Sequence, residues 1–220
     1  MVDARSRRVP RRTQAERTAM SEDRLMEAAL KLIAERGYDR TSLQAIGDEA
    51  GYSRGLVSHR FGSKEGLLWA MFERTFSEWR TERLLPRVGA HVGIEALHAV
   101  VAASRAALQA APEKMRAFYA MLFESVGALE VLRPKVAEFH RRQRKGLAAW
   151  IAAGIKAGNI RADADPAREA ALFTSMLRGA AYQWLLDPRG VDIDELHDAI
   201  DEAVTRILRP APGDRRATKG

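Results

Sequence analysis

Apolar residues recur at three- and four-residue spacings along most of the chain, and no stretch alternates as a strand would. Leu25, Ala28, Ala29, Leu32 and Ile33 form the first stripe, and Gly37 follows where helices favour a glycine C-cap. Thr41-Ser42-Leu43-Gln44 reads as a capping box, with Gln44 reaching back to the cap, and predicts a short helix over 43–50 that Gly51 stops. Ser53 caps a second short helix over 54–60. A fourth begins at Ser63-Lys64-Glu65 and runs to Leu85, where Pro86 is expected to close it. Beyond Pro86 the amphipathic segments lengthen, over 93–111, 113–127 and 134–157. Asp165 with Pro166 at N1 then opens a helix over 166–186, and Asp192 opens the last, striped by Ile193, Leu196, Ile200, Val204 and Ile207. The pattern predicts an all-α chain of about nine helices without internal repeats. It divides into a tail over 1–20, a three-helix head over 21–66, a body over 67–208 and a second tail over 209–220.

Composition narrows the function classes. The 220 residues are 46% hydrophobic and 30% charged, a globular balance. Cysteine is absent, which removes disulfides, thiol nucleophiles and Cys-ligated zinc. No apolar run approaches the roughly 18 to 20 residues that span a bilayer, and the Arg-rich start lacks a signal peptide's apolar stretch. A cytoplasmic protein with no membrane partner is expected. No GxSxG, phosphate-loop or dinucleotide motif is present, and the five histidines are scattered. His91 and His98 would stand about 10 Å apart along a helix, too far to share a metal. Asp194, His197, Asp198 and Asp201 read as a solvated acidic face. No catalytic residue, metal or cofactor is expected.

The net charge of +7 suggests a polyanionic partner, but its placement qualifies that inference. Residues 1–17 hold six arginines against Asp3 and Glu16; residues 209–220 hold Arg209, Arg215, Arg216 and Lys219 against Asp214. The chain between them is neutral, so a nucleic-acid surface there must depend on local arrangement. The polar tails, bracketed by Pro10, Pro210 and Pro212, are expected to be disordered.

The two short helices have the dimensions of a helix-turn-helix, with Gly51-Tyr52-Ser53 as the turn. Ile46, Ala50, Leu56 and Phe61 are expected to face the first helix, leaving Arg54, Gly55, Ser58, His59 and Arg60 outward. Such a helix fits a major groove, where Arg and His donate to guanine edges and phosphates. Thr41, Ser42 and Ser53 bring hydroxyls to helix N-termini that bind phosphate, and Lys64 opens the next helix beside them. Spacing alone leaves a solvated helical hairpin equally open.

Gly37-Tyr38-Asp39-Arg40-Thr41-Ser42, Ile46, Ala50-Gly51-Tyr52-Ser53-Arg54-Gly55-Leu56 and Phe61-Gly62-Ser63-Lys64-Glu65-Gly66-Leu67 resemble the N-terminal signature of the tetracycline-repressor (TetR) family over roughly residues 20–70. The resemblance implies a homodimeric repressor with a helix-turn-helix head and a variable ligand-binding body. It implies DNA-backbone roles for Thr41, Ser42 and Lys64, groove roles along helix 54–60, and a packing role for Phe61; Gln44 joins the candidate DNA residues. Many members carry a tyrosine where this chain has Ser58, so that phosphate contact is in doubt, and Arg60 is assigned to phosphate with a base edge as the alternative.

Residues 158–166, Arg178-Gly179 and Gln183-Trp184 are similar to the family's C-terminal region, which implies that the last two helices pair across a two-fold axis. Leu172, Phe173, Met176, Gly179, Ala180, Trp184, Ile193, Leu196 and Ile200 are the candidate interface. The apolar residues of helix 166–186 encircle it too widely for a one-sided surface helix. Trp79, His98, Phe118, Tyr119, Phe123, Phe139, Gln143 and Trp150 are candidate linings of an effector pocket, each also readable as ordinary core. Few polar groups accompany them, which favours an apolar or aromatic small molecule. A palindromic operator would be read by two recognition helices about 34–36 Å apart, and Trp79 would sit about 22 Å along helix 64–85 from Lys64, making that helix a lever. The rival reading is a helical carrier or adaptor that retains the head without specific DNA binding.

Overall fold

Capping side chains set several helix starts in the structure, a computed structural model that describes residues 13–211. α1 (Gln14–Arg36) opens at Thr13, whose hydroxyl accepts from the Glu16 N–H while the Glu16 carboxylate accepts from the Thr13 N–H. The helix therefore begins well before the expected start, and the tail boundary at residue 20 is corrected. This box sits in an arginine-rich run with too few apolar positions to form a stripe. The rest of both expected tails, 1–12 and 212–220, lies outside the described residues.

α2 (Leu43–Ala50) is capped by Ser42, which accepts from the Ala45 N–H, and α3 (Arg54–Phe61) by Ser53, which accepts from Leu56. Because Ser42 is the cap, Gln44 stands at N2 and cannot close the expected capping box; its amide donates to Asp48 instead, at 2.7 Å. Gly47 makes the tight turn possible. A Cβ there would stand 2.7 Å from the Tyr52 carbonyl oxygen, a backbone atom that cannot swing aside. α1, α2, α3 and the start of α4 (Lys64–Glu78) enclose a core of Leu25, Ala28, Ala29, Leu32, Ile46, Val57 and Leu67. Val57, fully buried, takes the inward place expected of Leu56, which is half-buried.

The chain forms two units, Met1–Met71 and Phe72–Gly220. The division falls inside α4 rather than at residue 66, because Leu67 and Met71 pack into the first unit's core.

Pro86 does not end the fourth helix. A π-helical segment, Trp79–Leu84, continues α4 directly into α5 (Leu85–Val88), with the Leu85 N–H reaching Arg80 O. Pro86 has no N–H for the carbonyl four residues back, and the wider turn ahead of it accommodates the ring. α6 (Ile94–Ala110), α7 (Pro112–Glu124), α8 (Arg133–Lys156), α9 (Pro166–Leu186) and α10 (Ile193–Leu208) complete the second unit. α4 to α5 being one continuous run, the described residues form nine helical rods and no strand.

α8 packs along α9, and α10 packs against α6 and α9. Leu97, Val101, Ile151, Phe173, Ala180, Ile200 and Val204 lie at their common core. At one end α6 and α8 touch backbone to backbone. The Gly93 N–H donates to Trp150 O, and a Cβ on Gly154 would collide with Gly93. Asp165 caps α9 through the Ala167 and Arg168 N–H groups, and Asp192 caps α10 through Asp194 and Glu195. No helix is long and apolar enough to cross a membrane among the described residues.

Candidate functional site

On α3, Val57 anchors the inward face while Arg54, Gly55 and His59 are exposed and Ser58 is half-buried. Ser42 and Ser53 are exposed at two helix N-termini, whose first N–H groups lack intrahelical partners and suit phosphate oxygens. Arg54 and the exposed Arg40, just ahead of α2, carry no ion pair among the described residues. Arg40, inside the motif but outside the expected DNA residues, is a further exposed cation at this surface.

Three assignments change. Thr41 is 1% exposed and its hydroxyl donates to Gly37 O at 2.9 Å, so it braces the loop ahead of α2 and is closed off from a phosphate. Lys64 is half-buried; its ammonium donates to Tyr38 O at 2.9 Å and lies 3.8 Å from the Tyr38 ring centroid, holding the same loop. The Tyr38 hydroxyl donates to Glu65, and that bond, with backbone N–H donation as the larger cause, keeps the Glu65 carboxyl below its ordinary range. Arg60 turns back onto α1, donating to Thr18 at 3.0 Å and meeting Glu22 at 3.5 Å. Neither phosphate nor a base edge is needed to place it.

The second unit contains a cavity of about 780 Å³. Trp79, Phe118, Tyr119, Phe139, Gln143 and Trp150 line it, joined by Phe76, Met115 and Leu177 among others. Phe72 stacks on Phe118 at 4.4 Å and meets Phe139 edge-on at 4.7 Å, forming an aromatic wall. The Trp79 indole donates to Ala103 O at 3.1 Å, which ties the start of the π segment to α6. His98 is not at the cavity: its Nε2 lies 3.0 Å from Thr205 Oγ1, because that face of α6 meets α10. Phe123 is 47% exposed, one turn beyond Tyr119, and meets Tyr182 edge-on at 5.1 Å.

The charged groups lining the cavity are Glu73, Arg80, Arg142 and Arg178. Arg142 lies 4.0 Å from Glu73, both exposed to solvent. Arg178 is half-buried and donates to Gln143 Oε1 at 3.2 Å. Burial pushes its pKa down and that of Tyr119 up. His140, held back by burial and by Arg178 and Arg144, is lowered to about 4 and stays neutral near pH 7. Among the described residues, no group of three or more His, Asp or Glu could hold a metal ion.

Comparison with known proteins connects both regions. The family profile described as bacterial regulatory proteins, tetR family, matches residues 25–71, and that described as BetI-type transcriptional repressor, C-terminal, matches residues 93–209. The chain belongs to the TetR family of bacterial transcriptional regulators. It is similar to the HTH-type transcriptional regulator BetI of Rhizobium meliloti, 33% identical over 129 residues; that match covers 59% of this chain and 63% of the relative, under two thirds of its length. The BetI of Burkholderia cenocepacia is 31% identical over 179 residues, 80% of this chain and 90% of that one. In fold, a SmeT–triclosan complex matches with a TM-score of 0.73 at 20% identity, over 88% of this chain and 93% of that chain.

TetR-family regulators join a DNA-binding head to a ligand-binding body, and the positions expected to pair two copies divide here. Phe173, Ala180, Ile193 and Ile200 are buried in the chain's own core and leave little surface for a partner. Met176, Gly179, Trp184 and Leu196 are half-buried, while Leu172 is exposed. Tyr182 and Leu186, absent from the expected set, are 48% and 72% exposed and continue the Leu172 side of α9. Their spacing from Leu172 is helical, but apolar residues surround so much of α9 that the pattern could not tell which side faces inward.

Proposed function

We propose that the chain is a homodimeric repressor that reads a palindromic operator through α3 and leaves it when a small molecule fills the cavity of the second unit. The observation that carries the reading is α3 itself: an eight-residue helix capped by Ser53, pinned by Val57 and presenting Arg54, Gly55 and His59 outward. In this reading Arg54 and His59 meet base edges, and the Ser42 and Ser53 helix N-termini meet phosphates. The exposed stripe of Leu172, Tyr182 and Leu186 brings two copies together. The protein acts in the cytoplasm and uses no cofactor or catalytic step.

One helical run begins in the head and enters the cavity wall through Phe76 and Trp79, where it changes to π geometry. A ligand against Trp79 shifts this run, and a coupling of about 1–3 kcal/mol would weaken operator binding roughly 5- to 150-fold. Triclosan in the SmeT complex is consistent with a small aromatic effector. The test is retardation, at fixed salt, of an inverted repeat upstream of the protein's own gene. Arg54→Ala is expected to relax preference at one base pair per half-site by about 1–3 kcal/mol. Sequence-blind retardation by the native chain would overturn the operator reading and support the carrier or adaptor.

A further inference from the structure

The charges inside the cavity are unbalanced. Three arginines face it against the single carboxylate of Glu73, and that carboxylate stands opposite Arg142. Arg178, on α9, makes no ion pair among the described residues. Among the described residues its hydrogen-bond partner is the neutral Gln143 oxygen, and its Nε is buried with no acceptor. Burial disfavours its charge most, and the charged group acting on it is another cation, Arg144. A guanidinium presents five donors in a planar fork suited to a carboxylate, and a buried cation without a counter-ion is costly.

Around this cation the walls are apolar: Phe76, Trp79, Phe118, Phe139 and Trp150. Aromatic faces by themselves would also suit a cationic ligand. An ammonium group entering here would meet Arg178 and Arg142, whereas a carboxylate would supply the counter-charge that Arg178 lacks. Tyr119 lines the same cavity, and burial keeps its phenol protonated, able to donate a further hydrogen bond. The volume of about 780 Å³ holds a drug-sized molecule.

We propose that the effector is an organic anion, a carboxylate on an aromatic or aliphatic body, whose head pairs with Arg178 beside Gln143 while its body lies against the aromatic wall. This rests on the ligand-released reading and specifies its ligand class.

The test uses the full chain and two matched series: 2-naphthoate, 2-naphthylmethanol and 2-naphthylmethylammonium, then decanoate, decanol and decylammonium. Binding is measured by calorimetry. In at least one series the carboxylate is expected to bind tenfold or more tightly than its matched alcohol and ammonium. Arg178→Met should remove that preference, and Arg178→Lys should keep part of it. Arg178→Met is also expected to raise the ligand-free Tm, since the unpaired cation is replaced by an apolar chain of similar length; a purely structural arginine would lower it. Equal or tighter binding of the alcohol or ammonium, silence of both carboxylates, or a preference surviving Arg178→Met would each overturn the proposal. Operator retardation separates the two readings. Arg178-dependent carboxylate binding that leaves operator affinity unchanged refutes release and keeps the ligand class. Release by a neutral or cationic compound alone does the reverse.

Discussion

Arg60 and His59 are neighbours on α3 with opposite surroundings: His59 is exposed, while the Arg60 guanidinium lies against Thr18 and Glu22 of α1. That difference was not legible in the sequence, because both anchoring residues lie in the part of α1 preceding the visible apolar stripe. Thr41 and Lys64 have loop partners that were not legible, for a related reason. Their side chains can serve a phosphate or a loop carbonyl equally well, and only the folded position of residues 37–38 decides. For Arg60→Met the salt dependence of operator binding should therefore keep its slope to within half a unit, where loss of a phosphate contact would reduce it by about one. Head stability should fall by less than about 1 kcal/mol, as for a partly exposed ion pair. Retardation titrations from 50 to 200 mM salt check the first expectation, and urea unfolding checks the second.

Several helix starts were legible where a short-range signal fixed them. Ser53, Asp165-Pro166 and Asp192 place helix starts within a few residues of themselves, and the structure opens α3, α9 and α10 there. The π segment was not legible, because proline in a sequence announces a stop without showing that a widened preceding turn can carry the helix through. The expected aromatic residues do line a cavity where they cluster, whereas His98 and Phe123 do not, because their faces depend on how α6 and α7 are rotated against α10 and α9. Gly47 is a test at this scale. Gly47→Ala forces a methyl toward the Tyr52 carbonyl, and overpacking of this kind costs typically about 1–3 kcal/mol. Thermal unfolding should show a destabilised head, and retardation should show weakened operator binding with the ligand affinity of the second unit unchanged.

In the proposed homodimer, assembly turns on the exposed apolar side of α9. Leu172, Tyr182 and Leu186 lie on one flank of the helix, with Phe123 of α7 beside Tyr182. Exposed apolar patches of this kind mark association surfaces. Tyr182→Glu combined with Leu186→Glu should convert a dimer to a monomer in light scattering. Operator binding should then fall by more than tenfold, since one head contacts only one half-site. A double variant that stays dimeric would move the interface elsewhere.

The direct contact of Gly93 and Gly154 constrains how the body can respond. With two glycines in place of side chains, the facing backbones at that end have no compressible layer between them. α6 and α8, which both line the cavity, are thus clamped together at that end. An occupant that needs more room would have to act on the remaining walls: α7, α9 and the run from Phe76 to Arg80.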